Sequence, residues 1–202
     1  MDISVIVTNF NYGRFLGRCL RSLLSQSLPK ANFEIIVVDD ASTDDSLEII
    51  KSFRDRITLL QQPSNMGLAH SSNLGILNAK GRYVVRVDSD DYVHSDFLKI
   101  LLTGFEFFGK ECEAVSTDYL CVTPEGLTLE YGSAILNPIA CAIAFKMDAL
   151  ESLGFYDSKL RIDEEIDLRE KFSAAGYNLR NINLPMYRYV KHKGSLTKSV
   201  LI

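Results

Sequence analysis

RYVVRVDSDD, residues 82–91, decides how the whole chain is read. Residues 82–88 form a short valine-rich run, the mark of a strand buried on both faces. The run ends on Asp88, Asp90 and Asp91, three carboxylates within four residues. At neutral pH such a cluster repels itself. It is stable where a cation sits among the oxygens or where one carboxyl keeps its proton. Carboxylate oxygens suit hard ions such as Mg²⁺ or Mn²⁺. The plainer alternative is a solvated turn at Asp90 and Asp91, with Asp88 capping the next helix.

Outward from this run the same pattern repeats. Residues 3–8 (ISVIVT), 33–39 (FEIIVVD) and 57–61 read as further strands. Phe15, Leu16, Cys19, Leu20, Leu23 and Leu24 recur at helical spacing. Helices are also expected over 43–53, with Ser42 or Thr43 as N-cap, over 68–79, stopped by Gly81, and over 97–108. Strands alternating with helices predict βαβ units and a mainly parallel sheet. The polar stretches TNFNYG, DDASTDD and QPSNMG follow the first three strands, where open α/β sheets bind ligands. In the second half, 113–123 and 127–131 flank Pro124-Glu125-Gly126 as a hairpin. A strand over 139–145, a helix over 166–175 and an extended run over 177–190 complete the expectation. The fold expected is one α/β domain with helices flanking a mainly parallel sheet and a small antiparallel edge. Residues 1–110 form its nucleotide-binding half and 111–202 its acceptor and catalytic half.

Composition narrows the function. A net charge of -4 without a basic stripe argues against a nucleic-acid binder. Cys19, Cys112, Cys121 and Cys141 form no CxxC pair, so they read as reduced core thiols of a cytosolic protein. Three histidines do not make a multi-histidine zinc site. No basic segment with an apolar stretch and cleavage site opens the chain, and no apolar run reaches the ~20 residues of a membrane span. A cytoplasmic protein is expected, with room for peripheral contact at the inner membrane face.

The second acidic stretch, DDASTDD, opens with Asp39 and Asp40 at a strand end. A carboxylate there accepts a hydrogen bond from N3–H of uracil or thymine, whereas cytosine N3 is itself an acceptor, so UDP or dTDP donors are favoured, with guanine N1–H left as an alternative. The bland alternative for these aspartates is a helix N-terminus favoured by the macrodipole, and Asp44 and Asp45 fit it.

In order, SVIVTNFN with Tyr12, RSLLSQS, EIIVVDDASTDDS, NMGLAHSSNLGI, GRYVVRVDSDDYV, LGFYD and DEEIDL cover nearly the whole chain. Together they resemble the family 2 glycosyltransferases of the GT-A fold. The resemblance implies an inverting enzyme with a nucleotide-sugar donor, a glycan or glycolipid acceptor, and Mn²⁺ or Mg²⁺. It places Thr8, Asn9, Asn11, Asp39, Asp40, Asn65, Gly67, Asn73, Asp88 and Ser89 around the nucleotide. Asp88 and Asp90 match the DxD motif, and His192 stands where relatives contact metal or diphosphate. Lys191, Lys193, Ser195 and Thr197 are expected to cover the phosphates.

The catalytic run is Glu164-Glu165-Ile166-Asp167-Leu168. Relatives usually carry Glu-Asp-x-Asp-Leu, so Glu165 stands at the base position with about 1.5 Å more reach. Ser72 replaces a frequent basic residue, a charge that Arg86 or the C-terminal run is expected to supply. Two rivals follow from the sequence. One is a non-catalytic nucleotide-sugar or partner-binding module, suggested by those two departures. The other, a sugar nucleotidyltransferase, usually has a glycine-rich first loop, and TNFNYG has one glycine. The expected acceptor cleft is open or is finished by a second subunit, which makes a homodimer one outcome.

Overall fold

The computed structural model describes residues 1–160 and 163–194. Four parallel strands form its first half: β1 (Ile3–Asn9), β2 (Phe33–Asp39), β3 (Thr58–Gln61) and β4 (Tyr83–Arg86). They lie in the order β3-β2-β1-β4. Helices α1 (Gly13–Leu24), α2 (Ser46–Lys51) and α3 (Leu68–Leu77) connect them. A two-residue β5 (Tyr92–Val93) and helix α4 (Phe97–Phe108) follow. The second half holds β6 (Ala114–Val122), β7 (Thr128–Gly132), β8 (Ile143–Lys146), α5 (Met147–Leu153), α6 (Glu164–Ala174) and β9 (Leu179–Val190). One sheet runs through both halves, continuing from β4 through β8, β6 and β9 to β5, with β7 on β6. β4–β8, β8–β6, β6–β7 and β9–β5 pair antiparallel, and β6–β9 is parallel.

Strands β1, β2 and β4 are buried on both faces because helices cover both. Val5, Val7, Ile35, Val37 and Val85 join the core that includes α1 and α4. Ile6, Ile36, Val38 and Val84 point the other way, into the core with α3, α5 and α6. Period-two side-chain alternation divides the continuous apolar runs between two helical layers. The hairpin forms as expected, with a register shift between Cys121 and Val122.

Four local expectations are corrected. Helix α2 starts at Ser46 because the preceding loop is held by other partners: Ser42 N donates to Asp39, and Thr43 N donates to Asn11 Oδ1 at 2.7 Å. Neither Ser42 nor Thr43 caps it, whereas Asp44 Oδ1 accepts from Ser46 N at 3.0 Å. The N-cap position of α4 falls to Asp96, not Asp88, since β5 intervenes. The 139–145 strand begins only at Ile143 and leads into α5, which the sequence pattern did not reveal. Among the described residues, no helix is long and apolar enough to cross a membrane.

Helix α3 lies so close to the sheet that a Cβ on Gly75 would meet Ile6 Cγ2 at 2.5 Å and Val38 Cγ2 at 3.2 Å. Gly75→Val should therefore lower stability by about 1–3 kcal/mol, read as an earlier urea midpoint with an unchanged slope. An unchanged midpoint would contradict this packing.

Candidate active site

The carboxyl ends of β1, β2 and β4 come together because these strands are parallel neighbours. Asn9 and Asp39 are direct register partners, and the Asn9 amide donates to Asp39 Oδ1 at 2.9 Å. Asp39 and Asp40 are 1% and 4% exposed. Asp40 accepts from Gln62 Nε2, Met66 N and Gly67 N at 2.7–2.8 Å, which fixes the loop before α3. Gly67 holds a φ of 93°, a conformation in which a side chain is strained. Asn11 also sits in the left-handed region, at φ 60°, and its Oδ1 ties the loop after β1 to Thr43. Among the described residues Asp39 accepts from the Asn9 amide and from Ser42 N, two of its roughly four lone-pair positions. Thr8 is buried beside them, and Asn65 is exposed on the Asp40-anchored loop. Asn73 is committed elsewhere: its amide binds Tyr156 N, Tyr156 O and Ser158, clamping the loop after α5.

At the end of β4 the three aspartates have three different environments. Asp88 Oδ2 accepts from the Cys141 thiol at 2.7 Å, while Oδ1 lies 3.2 Å from Arg86 Nε. That approach lacks hydrogen-bond alignment, and Asp88 Oδ1 has no hydrogen-bond partner among the described residues. Asp90 Oδ2 lies 3.0 Å from His192 Nε2. Burial, then the Asp88 charge, raises the Asp90 pKa, and His192 opposes the rise. The His192 ring stacks on Phe15 at 4.5 Å and meets Tyr12 edge-on at 5.6 Å. Tyr12 in turn donates to Gly194 O at 2.9 Å. Its phenol is pushed up to about 12 by burial and by the nearby aspartate charges. An open groove of about 650 Å³ lies beside this contact, walled by Phe10, Asn11, Tyr12, Arg14, Lys191 and His192 among others. Ser89 is buried within the turn. Ser195 and Thr197 lie outside the described residues.

Asp91 is the structural member. It is 1% exposed, and its oxygens accept from Tyr187 Oη and Val190 N, both at 2.7 Å. Asp88, Asp91 and Cys141 bring ligand atoms within 4.8 Å of one another. Asp91 is nevertheless held by β9, and the thiol is kept protonated by burial and by the Asp88 charge. Outside that group, Asp90 and His192 bring a carboxylate and an imidazole to 3.0 Å of each other.

Helix α6 brings the remaining carboxylates, and its acidic first turn also suits the helix dipole. Glu164 is 3% exposed, with Oε1 3.3 Å from Arg86 Nη1. Burial raises its pKa, and Arg86 opposes the rise. Glu165 is half-buried beside it. Asp167 departs from the expected catalytic group: it pairs with Lys171 at 2.7 Å across one helical turn. Arg86, 5% exposed, is too buried to offer a surface charge to a diphosphate. Ser72 is buried next to it, both lining one cavity of about 10 Å³. Sequence reasoning missed the Arg86 bridge and Cys141. An arginine inside a valine run beside an acidic cluster was the available signal for the first.

This is the architecture of a GT-A transferase, and solved structures share it. TarS 1–349 from S. aureus, in complex with UDP-GlcNAc, superposes with a TM-score of 0.81 at 22% identity over 100% of this chain and 62% of that one. The mannosyltransferase PcManGT from Pyrobaculum calidifontis, with GDP-Man and Mn²⁺, gives 0.71 at 22% identity over 94% and 56%. Residues 4–148 match the model for Glycosyl transferase family 2, and the chain belongs to that family. Among curated relatives, poly(ribitol-phosphate) beta-N-acetylglucosaminyltransferase TarS of Staphylococcus aureus is 37% identical over 49% of this chain and 18% of its own length. Chondroitin synthase of Pasteurella multocida is 27% identical over 94% and 20%. The chain thus spans about a fifth of these two relatives.

Asp91 makes a pH prediction. Burial, followed by the Asp90 and Asp88 charges, holds its carboxyl well above the usual range. Between the ordinary pKa of about 3.9 and that raised value the native state binds the extra proton, so stability falls as pH rises. Asparagine keeps an acceptor for Val190 and removes the titration. In chelator, the stability of Asp91→Asn relative to wild type should increase from acid towards neutral pH by urea unfolding. Parallel pH profiles would contradict the assignment.

Proposed function

We propose that the chain is an inverting glycosyltransferase domain using a nucleotide-diphosphate sugar, with UDP or dTDP donors favoured. The observation that carries this is the run of contacts at the end of β4, with His192 on Asp90 and with Arg86 between Asp88 and Glu164 of the α6 first turn. Residues 1–110 hold the nucleotide, and 111–202 supply the base and the acceptor side. Thr8, Asn9, Asn11, Asn65 and Gly67 frame the nucleoside. Asp39 has acceptor capacity for a base N3–H, and Asp40 shapes the loop that closes over it.

Asp88, Asp90 and His192 carry the donor types a hard divalent ion takes, and the Asp90 carboxylate and His192 imidazole already meet at 3.0 Å. Bound Mn²⁺ or Mg²⁺ there would offset charge on the departing diphosphate. Phe15 and Tyr12 orient His192 towards Asp90. Glu165 accepts the proton of the acceptor hydroxyl. The freed oxygen pair forms the new bond to the anomeric carbon as its bond to the diphosphate breaks, which inverts that centre. The acceptor is a glycan or glycolipid of surface polysaccharide assembly, used at the cytoplasmic face of the membrane. Exposed Leu127, Leu129, Ile135 and Leu136 around the hairpin support a covered surface on that side, by membrane or a second copy.

Two measurements test the proposal. UDP or dTDP at about 100 times its dissociation constant should stabilise the protein by roughly 2.7 kcal/mol in a thermal melt with Mn²⁺, and much less in chelator. GDP, CDP and ADP serve as comparisons. Silence with every nucleotide would remove the donor site. Glu165→Gln should keep that nucleotide shift but lower turnover of UDP-GlcNAc, the first donor to try, by about 100-fold or more. Wild-type turnover in this variant would unseat Glu165 as the base.

A further inference from the structure

We propose that Arg86 is a positioning residue that ties Asp88 to the first turn of α6, so that donor binding at Asp88 fixes the placement of Glu165. The inference rests on the transferase reading and adds a residue and a coupling to it. Arg86 closes β4, and its side chain is buried beneath the acidic turn. Its guanidinium reaches two carboxylates from different halves of the chain, Asp88 Oδ1 at 3.2 Å and Glu164 Oε1 at 3.3 Å. The Tyr156 ring lies 5.6 Å away, in the loop that Asn73 clamps.

A buried cation is tolerable only with carboxylate partners, and losing one of them is costly. Neither contact is a strong hydrogen bond. The Arg86–Asp88 approach is misaligned, and the Arg86–Glu164 bond is long for a charged pair. The Cys141 thiol holds the other Asp88 oxygen, so Asp88 is anchored on one side and electrostatically shared on the other. When Asp88 turns its charge towards a bound cation and diphosphate, Glu164 becomes the main partner of Arg86. The attraction then draws the start of α6 onto the sheet. Asp163, immediately before it, sits at φ 67°, a strained entry that contacts further along must hold. Glu165 is the next residue after Glu164, so its carboxylate moves with that turn. Base placement matters because a misplacement of about 1 Å can lower the rate about 100-fold.

Hydrogen exchange of residues 164–168, with and without UDP and Mn²⁺, tests the coupling. Wild type should show slower exchange there on binding. Arg86→Met combined with Glu164→Gln removes both members of the buried Arg86–Glu164 pair and leaves Asp88 held by the Cys141 thiol. This double variant should still bind UDP with Mn²⁺ by calorimetry, lose the exchange protection at 164–168, and lose about 100-fold in kcat with little change in donor KM. If it does not fold, Arg86→Lys, which keeps the charge but not the fork, is read in the same way. Wild-type protection and kcat in the variant would overturn the coupling and leave the transferase reading intact. So would loss of UDP binding in the folded variant, which would make Arg86 a donor-site residue. Absence of UDP binding in wild type overturns the transferase reading and the inference with it, and is seen before any variant is made.

Discussion

Repulsion among carboxylates at the end of β4 is the constraint around which the site is built. Asp88, Asp90 and Asp91 follow a buried strand, and the fold answers each one separately. Arg86 and the Cys141 thiol meet Asp88, His192 meets Asp90, and Tyr187 with the Val190 amide meets Asp91. These partners come from β4, the segment before β8, and β9 with the residues after it. The second half of the chain is therefore required for the acids of the first half to stand together. The parallel pairing of β6 with β9 is what delivers Tyr187, Val190 and His192 to that place.

The compensation is less complete at Asp88 and Asp90 than at Asp91. Asp91 has a partner for each oxygen and is sealed. Asp90 and Asp88 are only partly answered, and the pKa of Asp90 stays raised. In the proposed reading, a bound cation would answer the charge left at Asp88 and Asp90. At the end of β2 the balance differs: Asp40 accepts from two backbone amides and the Gln62 side chain and so shapes a loop, whereas among the described residues Asp39 accepts two hydrogen bonds.

Much of this was legible in the sequence, for definite reasons. β1 and β2 are near-continuous apolar runs, each followed by a polar loop, and α4 has clear helical periodicity, so β2 and α4 match their expected limits. Asp88, Asp90 and His192 were singled out through local motifs, and the structure places His192 3.0 Å from Asp90. What was not legible depends on contacts distant in sequence. Helix α5 is a single short stretch of seven residues with little periodicity to show. Asn73 reads as a nucleotide ligand until Tyr156, 83 residues on, is seen to occupy its amide. Asp167 shares a motif with Glu165, yet its neighbour on the helix surface is Lys171. Arg86 was read as a charge for the diphosphate, and only its depth beneath Asp88 and Glu164 shows that its charge faces inward.

The central claim is that the incompletely answered acids form one cation and diphosphate site. Diffraction from crystals grown with UDP and Mn²⁺, recorded near the manganese absorption edge, tests it most directly. The account predicts a single anomalous peak within bonding distance of Asp90 and Asp88 or His192, with the UDP phosphates against it. A peak between Asp91 and Cys141, or UDP bound with no peak near Asp88 and Asp90, would contradict it.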